Sequence, residues 1–119
     1  ANRDGSPASM VFDEIDTGIG GRTAQMVAER IAMVAAHRQV LCITHLPQIA
    51  CMADTHLYIS KHVIDNQTST VIHPLTTGER VNEIARMASG ANVSSASLDN
   101  AREMIAYAGV KKEEYKKNG

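Results

Sequence analysis

Ser9-Met10-Val11-Phe12-Asp13-Glu14-Ile15-Asp16-Thr17-Gly18-Ile19-Gly20-Gly21 joins a short apolar run to paired acids and a glycine-rich segment. Its apolar run, Met10-Val11-Phe12, predicts a buried strand that delivers two adjacent carboxylates, Asp13 and Glu14, where the strand ends. A buried, unpaired charge is costly, so these acids belong at an open edge and not in a core. Acids at a strand's carboxyl end, followed by a glycine-rich turn and a helix, suit a metal-nucleotide site in the crevice of an α/β sheet. Asp-Glu by itself also opens ordinary solvated turns, so the flanking sequence has to decide.

On the carboxyl side, Ala24, Val27, Ile31 and Val34 recur at helical spacing, with Arg22, Gln25, Glu29 and Arg30 as polar positions between them. That pattern predicts an amphipathic helix of about four turns. Gln39 to Thr44 contains a second apolar run, Val40-Leu41-Cys42-Ile43, which ends in Thr44 and His45. Strand, helix, strand is the parallel βαβ unit, and it brings Asp13, Glu14 and His45 to the same edge of one sheet. Pro47 then opens a short helix, with Ile49, Ala50 and Ala53 available for packing.

Further along, Leu57 to Val63 and Thr70 to Leu75 predict a β-hairpin joined through Asp65-Asn66-Gln67, with Pro74 making the second strand an edge. Thr76 and Glu79 have capping-box spacing ahead of a helix carrying Val81, Ile84, Ala85 and Ala88, which ends near Gly90. Leu98, Ala101, Ile105 and Ala108 mark a last helix, stopped by Gly109. Residues 110–119, with the mixed-sign run Lys111-Lys112-Glu113-Glu114-Tyr115-Lys116-Lys117, read as a solvated, fraying tail and not as a DNA-binding one. On the amino side, Asp4-Gly5-Ser6-Pro7 reads as a turn feeding the first strand.

At 119 residues one compact domain is expected, with a modest core. The formal net charge of −1 provides no global basic footprint for a polyanion, so DNA contact would need a local patch or other parts of a larger protein. No apolar run is long enough to span a bilayer, and the two cysteines, Cys42 and Cys51, are expected to be free thiols in a reducing cytoplasm. Cys42, His45, Cys51 and His56 are not expected to form a zinc set, because Cys42 falls inside a strand pattern and the spacing matches no familiar finger.

In P-loop NTPases the Walker B strand ends in an Asp that holds Mg²⁺, and a following Glu can polarise the attacking water. Asp13 and Glu14 fit those roles in that order. Taken whole, Val11 to Gln25 and then Val40-Leu41-Cys42-Ile43-Thr44-His45-Leu46-Pro47-Gln48-Ile49-Ala50 closely resemble the carboxyl-terminal ATPase segment of the bacterial RecN family of ABC-type, SMC-like DNA repair ATPases. The likeness runs on through Met52-Ala53-Asp54, Ser60-Lys61 and Val81 to Met87.

The resemblance implies ATP and Mg²⁺ as cofactors in the complete protein. Asp13 is then the Mg²⁺ residue, directly or through water, Glu14 the catalytic base, and His45 the switch histidine that contacts the terminal phosphate. It also makes Gly18, Gly20 and Gly21 the D-loop, which in that family lies across a dimer of heads, and glycines there allow tight backbone geometry and an open helix amino terminus. Many ABC proteins carry an Asp where Gly20 falls, so backbone contacts are expected there instead of a side-chain role.

No Gly-x-x-x-x-Gly-Lys-Ser/Thr loop, no Ser-Gly-Gly signature and no long coiled coil occurs in the sequence. The expectation is therefore α/β: residues 1–119 as the incomplete carboxyl-terminal lobe of an ABC-type P-loop head, parallel strands with flanking helices plus a hairpin. By resemblance, the absent P-loop strand lies between the histidine-bearing strand and the one after it. Expected partners are the amino-terminal lobe of the same protein, a second head, and DNA through the complete protein; no membrane is expected. The setting is the cytoplasm, at the nucleoid, and the lone chain is expected to be inactive. The alternatives are a non-catalytic interaction module or the head segment of another SMC-like chromosome-organising ATPase.

Overall fold

The computed structural model of the chain describes residues 9–13 and 20–118. Strand β1 (Ser9–Asp13) and strand β2 (Gln39–Ile43) pair in parallel, in register from Ser9↔Gln39 to Asp13↔Ile43, with helix α1 (Gly21–Ala35) between them in sequence. The βαβ expectation holds. Met10, Phe12, Val40 and Cys42 are half-buried, whereas Val11, Leu41 and Ile43 are exposed, Val11 by 65%. Parallel strands are ordinarily buried on both faces, so one face of this pair is left bare.

After the short helix α2 (Pro47–Ala50), strands β3 (Leu57–Ile64) and β4 (Gln67–Pro74) form an antiparallel hairpin from Leu57↔Pro74 to Ile64↔Gln67. Its turn is tighter than the sequence suggests. Asp65 and Asn66 alone make it, both with positive φ (53° and 62°), so Gln67 already belongs to β4. Two left-handed residues give a type I′ turn, whose twist matches the strands, and Asp and Asn tolerate that conformation. Almost every hairpin side chain is exposed, including Val63 at 69% and Ile64 at 68%. Among the described residues β2 and β3 do not pair, and the strands form two separate two-stranded sheets.

The core lies among the helices. Helix α3 (Thr77–Ser89) and helix α4 (Ser95–Lys117) pack together, and α1 and α2 join them around Ile84, among the described residues the one large side chain fully buried. Around it are Ala28 and Ala32 of α1, Ile49 and Ala50 of α2, Cys51 and Met52 just after it, and Ala85, Ala101 and Ala108. The α1 stripe is thus Ala24-Ala28-Ala32, with Val27 and Ile31 at its rim. Helix separation depends on the side chains at the contact, and alanines permit close approach.

Helix α3 begins as its sequence predicts. Glu79 N donates to Thr76 Oγ1 (3.3 Å) and Thr76 N donates to Glu79 Oε1 (2.9 Å), completing the capping box. Gly90 ends the helix at φ 78°, ψ −150°, a conformation suited to glycine. Helix α4 departs from expectation: it does not stop at Gly109 but continues to Lys117, so residues 110–117 are helical and not frayed. Tyr115 packs on the core, and Lys112 reaches across to the segment after α2, which offsets the roughly 1 kcal/mol cost of a mid-helix glycine.

Candidate functional site

Asp13 is the last residue of β1 and stands opposite Ile43, the last residue of β2. His45 follows two positions later, so an exposed carboxylate and an exposed imidazole share the carboxyl edge of the parallel pair. Between strand and helix the chain turns sharply: Leu46 N donates to Thr44 Oγ1 (3.0 Å), and Pro47 starts α2, where its missing N–H costs nothing. Of the residues singled out from sequence, Glu14 and Gly18 lie outside the described residues, as does the Asp4 to Pro7 turn.

Gly20 is the N-cap of α1, and its carbonyl accepts from Ala24 N (2.8 Å). The first turn of α1 carries no acid and no side-chain cap. Gly20 has an ordinary φ of −81°, an added Cβ there would meet nothing within 4 Å, and one at Gly21 would only touch Gln48 Nε2 at 3.7 Å. That position puts the start of α1 beside α2.

Two residues that sequence reasoning missed secure the far end of α2. From α3, Arg80 Nη2 donates to the carbonyls of Cys51 (2.7 Å) and Ala53 (2.7 Å). From α4, Lys112 Nζ donates to the Ala53 carbonyl (3.1 Å) and pairs with Asp54 (3.1 Å). The last carbonyls of a helix lack intrahelical partners, and cations are favoured there. Burial pushes the Arg80 guanidinium below its usual value, with Asp54 among the charges that oppose the shift. No sequence pattern marks Arg80 or Lys112, since their partners lie far along the chain and, Asp54 apart, are backbone carbonyls.

The same neighbourhood perturbs two other groups. Burial, aided by the Arg80 charge and opposed by Glu83, holds the His56 imidazole below its ordinary value. Burial pushes the Cys51 thiol up against the opposing pull of Arg80, and Cys51 Sγ donates to Gln48 O (3.3 Å). Among the described residues there is no group of three or more His, Cys, Asp or Glu able to hold a metal, and no helix long and apolar enough to cross a membrane.

Fold and site together define an α/β unit with a parallel strand pair, whose carboxyl edge, where open α/β sheets bind their ligands, presents an acid and a histidine. No protein-family model matches the chain. The chain is 51% identical over 100 residues to the DNA repair protein RecN of Bacillus subtilis (strain 168), covering 84% of this chain and 17% of that protein. It is 51% identical over 98 residues to the DNA repair protein RecN of Deinococcus radiodurans and 47% over 97 residues to that of Halalkalibacterium halodurans, each covering 82% of this chain. The chain belongs to the RecN family, as a segment spanning about 17% of the length of the curated relatives it matches.

Proposed function

We propose that this chain is the carboxyl-terminal lobe of an ABC-type P-loop head, and that its parent couples ATP binding and hydrolysis to DNA double-strand break repair in the cytoplasm, at the nucleoid. The observation that carries the reading is the Asp13↔Ile43 register, which brings Asp13 and His45 to one edge in a chain of the RecN family. The bare face of β1–β2 and the gap between β2 and β3 support a sheet completed by the amino-terminal lobe of the same protein.

Mg²⁺ bound with nucleotide commonly takes one or two protein carboxylates and completes its shell with phosphate oxygens and water. The exposed Asp13 carboxylate fits that pattern as a donor, directly or through water. When bound, the ion would neutralise charge on the β- and γ-phosphates. Glu14, next in the chain, orients or deprotonates the attacking water, and a ring N–H of His45 stabilises charge on the terminal phosphoryl oxygens. Gly18, Gly20 and Gly21 belong to the loop that meets a second head; at Gly20 an added Cβ would meet no described residue within 4 Å, and at Gly21 only Gln48 Nε2 at 3.7 Å, which leaves that backbone open to approach from a partner.

Single-turnover hydrolysis by the complete protein tests the reading through Glu14→Gln. ATP binding should persist while turnover falls by about a hundredfold or more, because the amide keeps the shape and removes the base. Hydrolysis at the parent rate would refute the assignment.

A further inference from the structure

We propose that Arg80 is a positioning residue for the His45 turn, holding it from the opposite end of α2; the inference rests on the reading of His45 given above. The segment from Leu46 to Ala53 is one hydrogen-bonded unit. Ala50 N donates to Leu46 O (3.0 Å), Cys51 N to Pro47 O (2.9 Å) and Ala53 N to Ala50 O (3.1 Å). A helical unit of this kind moves as a short rod, so fixing its carboxyl end fixes the residue just before its amino end, which is His45.

Arg80 fixes that end with a single nitrogen. Both 2.7 Å bonds, to Cys51 O and Ala53 O, come from Nη2, and the same atom lies 3.5 Å from Ala50 O. Lys112 adds a second cation at Ala53 O from α4. The rod's side, meanwhile, is seated in the core through Ile49, Ala50, Cys51 and Met52, against Ile84 and Ala85. The histidine turn is thereby referenced to α3 and α4, elements that contribute no other residue to the site. A shift of the order of 1 Å at a catalytic group, caused from a distance, can cost about a hundredfold in rate.

The experiment uses the complete protein with Mg-ATP and compares the parent with Arg80→Met, Arg80→Lys, Lys112→Met, His45→Ala and the double variant His45→Ala/Arg80→Met. Arg80→Met should lower kcat by between about ten- and a hundredfold with little change in KM for ATP, since the phosphate-holding elements are untouched. Arg80→Lys should regain part of the loss, because one ammonium can replace two bonds made by one nitrogen, from a slightly shorter stem. The double variant should be no slower than His45→Ala by more than about twofold, the signature of one residue acting through another.

Independent, multiplying losses in the double variant would mean that Arg80 is merely structural, and would overturn the proposal. Parent kcat in Arg80→Met beside a slow His45→Ala would overturn it too, leaving the reading of His45 standing. His45→Ala at the parent rate would overturn that reading and this inference with it. Should Arg80→Met fail to fold, Lys112→Met carries the test from a side chain nearer the surface: a loss of kcat absent from the His45→Ala background supports the proposal, and parent kcat refutes it.

Discussion

Asp13 and Ile43 face each other at the ends of two parallel strands, and His45 stands two residues beyond Ile43. The chemistry proposed for the chain depends on that adjacency. An acid that meets a metal-bound nucleotide and a histidine that meets its terminal phosphate have to emerge at one edge, and the βαβ connection through α1 brings them there.

The two residues should fail differently. In the complete protein, Asp13→Asn should weaken the Mg²⁺-dependent part of ATP binding, seen by titrating ATP with and without the ion. An unchanged Mg²⁺ dependence would count against the assignment.

His45→Ala should slow hydrolysis by about tenfold or more while leaving the fold intact, since the residue is exposed and sits outside the core cluster. Thermal and chemical denaturation provide the control. A loss of several kcal/mol would mean a structural histidine in a packed network.

The helical core predicts a contrast in stability. Ile84→Ala should cost about 2–5 kcal/mol, as a large side chain fully buried in the core, whereas Thr76→Ala should cost about 1 kcal/mol for the lost cap of α3. Chemical denaturation followed by circular dichroism measures both, and equal costs would contradict the burial on which the core is described.

How much of this was legible in the sequence varied with the physics involved. The capping box at Thr76 and Glu79 and the end of α3 at Gly90 are local chemistry, so they could be read directly. The hairpin turn reads one residue too long from sequence because Gln67 is polar, although it pairs with Ile64 in the ladder. In α1 the periodic Val27 and Ile31 pointed to the correct helix but only to the rim of its packing, since the closest contacts belong to Ala28 and Ala32. Gly109 looked like a stop because propensity is local, while the packing of Tyr115 and the reach of Lys112 are tertiary. The edge shared by Asp13 and His45 followed from the βαβ pattern. Arg80 was invisible, since its partners are carbonyls 27 and 29 residues away.

His56 should titrate below the ordinary histidine value of 6.5, because burial and the Arg80 charge disfavour its cationic form. Its neutral form is thus favoured in the folded state. The stability it contributes is fully present above about pH 6.5 and is lost as pH falls through the lowered folded-state value, since between the two the unfolded chain takes up the proton first. Ring NMR of His56 against pH reads the value directly, and His56→Gln should flatten that part of the stability profile. A pKa at or above 6.5 would contradict the burial and the influence of the Arg80 charge.

The central claim is that Asp13 and His45 form one part of an ATP site whose phosphate-holding loop lies outside this chain. Phosphate affinity in P-loop enzymes comes chiefly from loop amides and a lysine, and Asp13 and Glu14 add negative charge that repels a bare nucleotide. Calorimetric titration of Mg-ATP into the 119-residue chain, alone and mixed with the remaining part of its parent, measures this most directly. The chain alone should show no appreciable binding, and the mixture should bind with an affinity that Asp13→Asn weakens. Micromolar binding by the lone chain, or a binding mixture indifferent to Asp13→Asn, would contradict the claim.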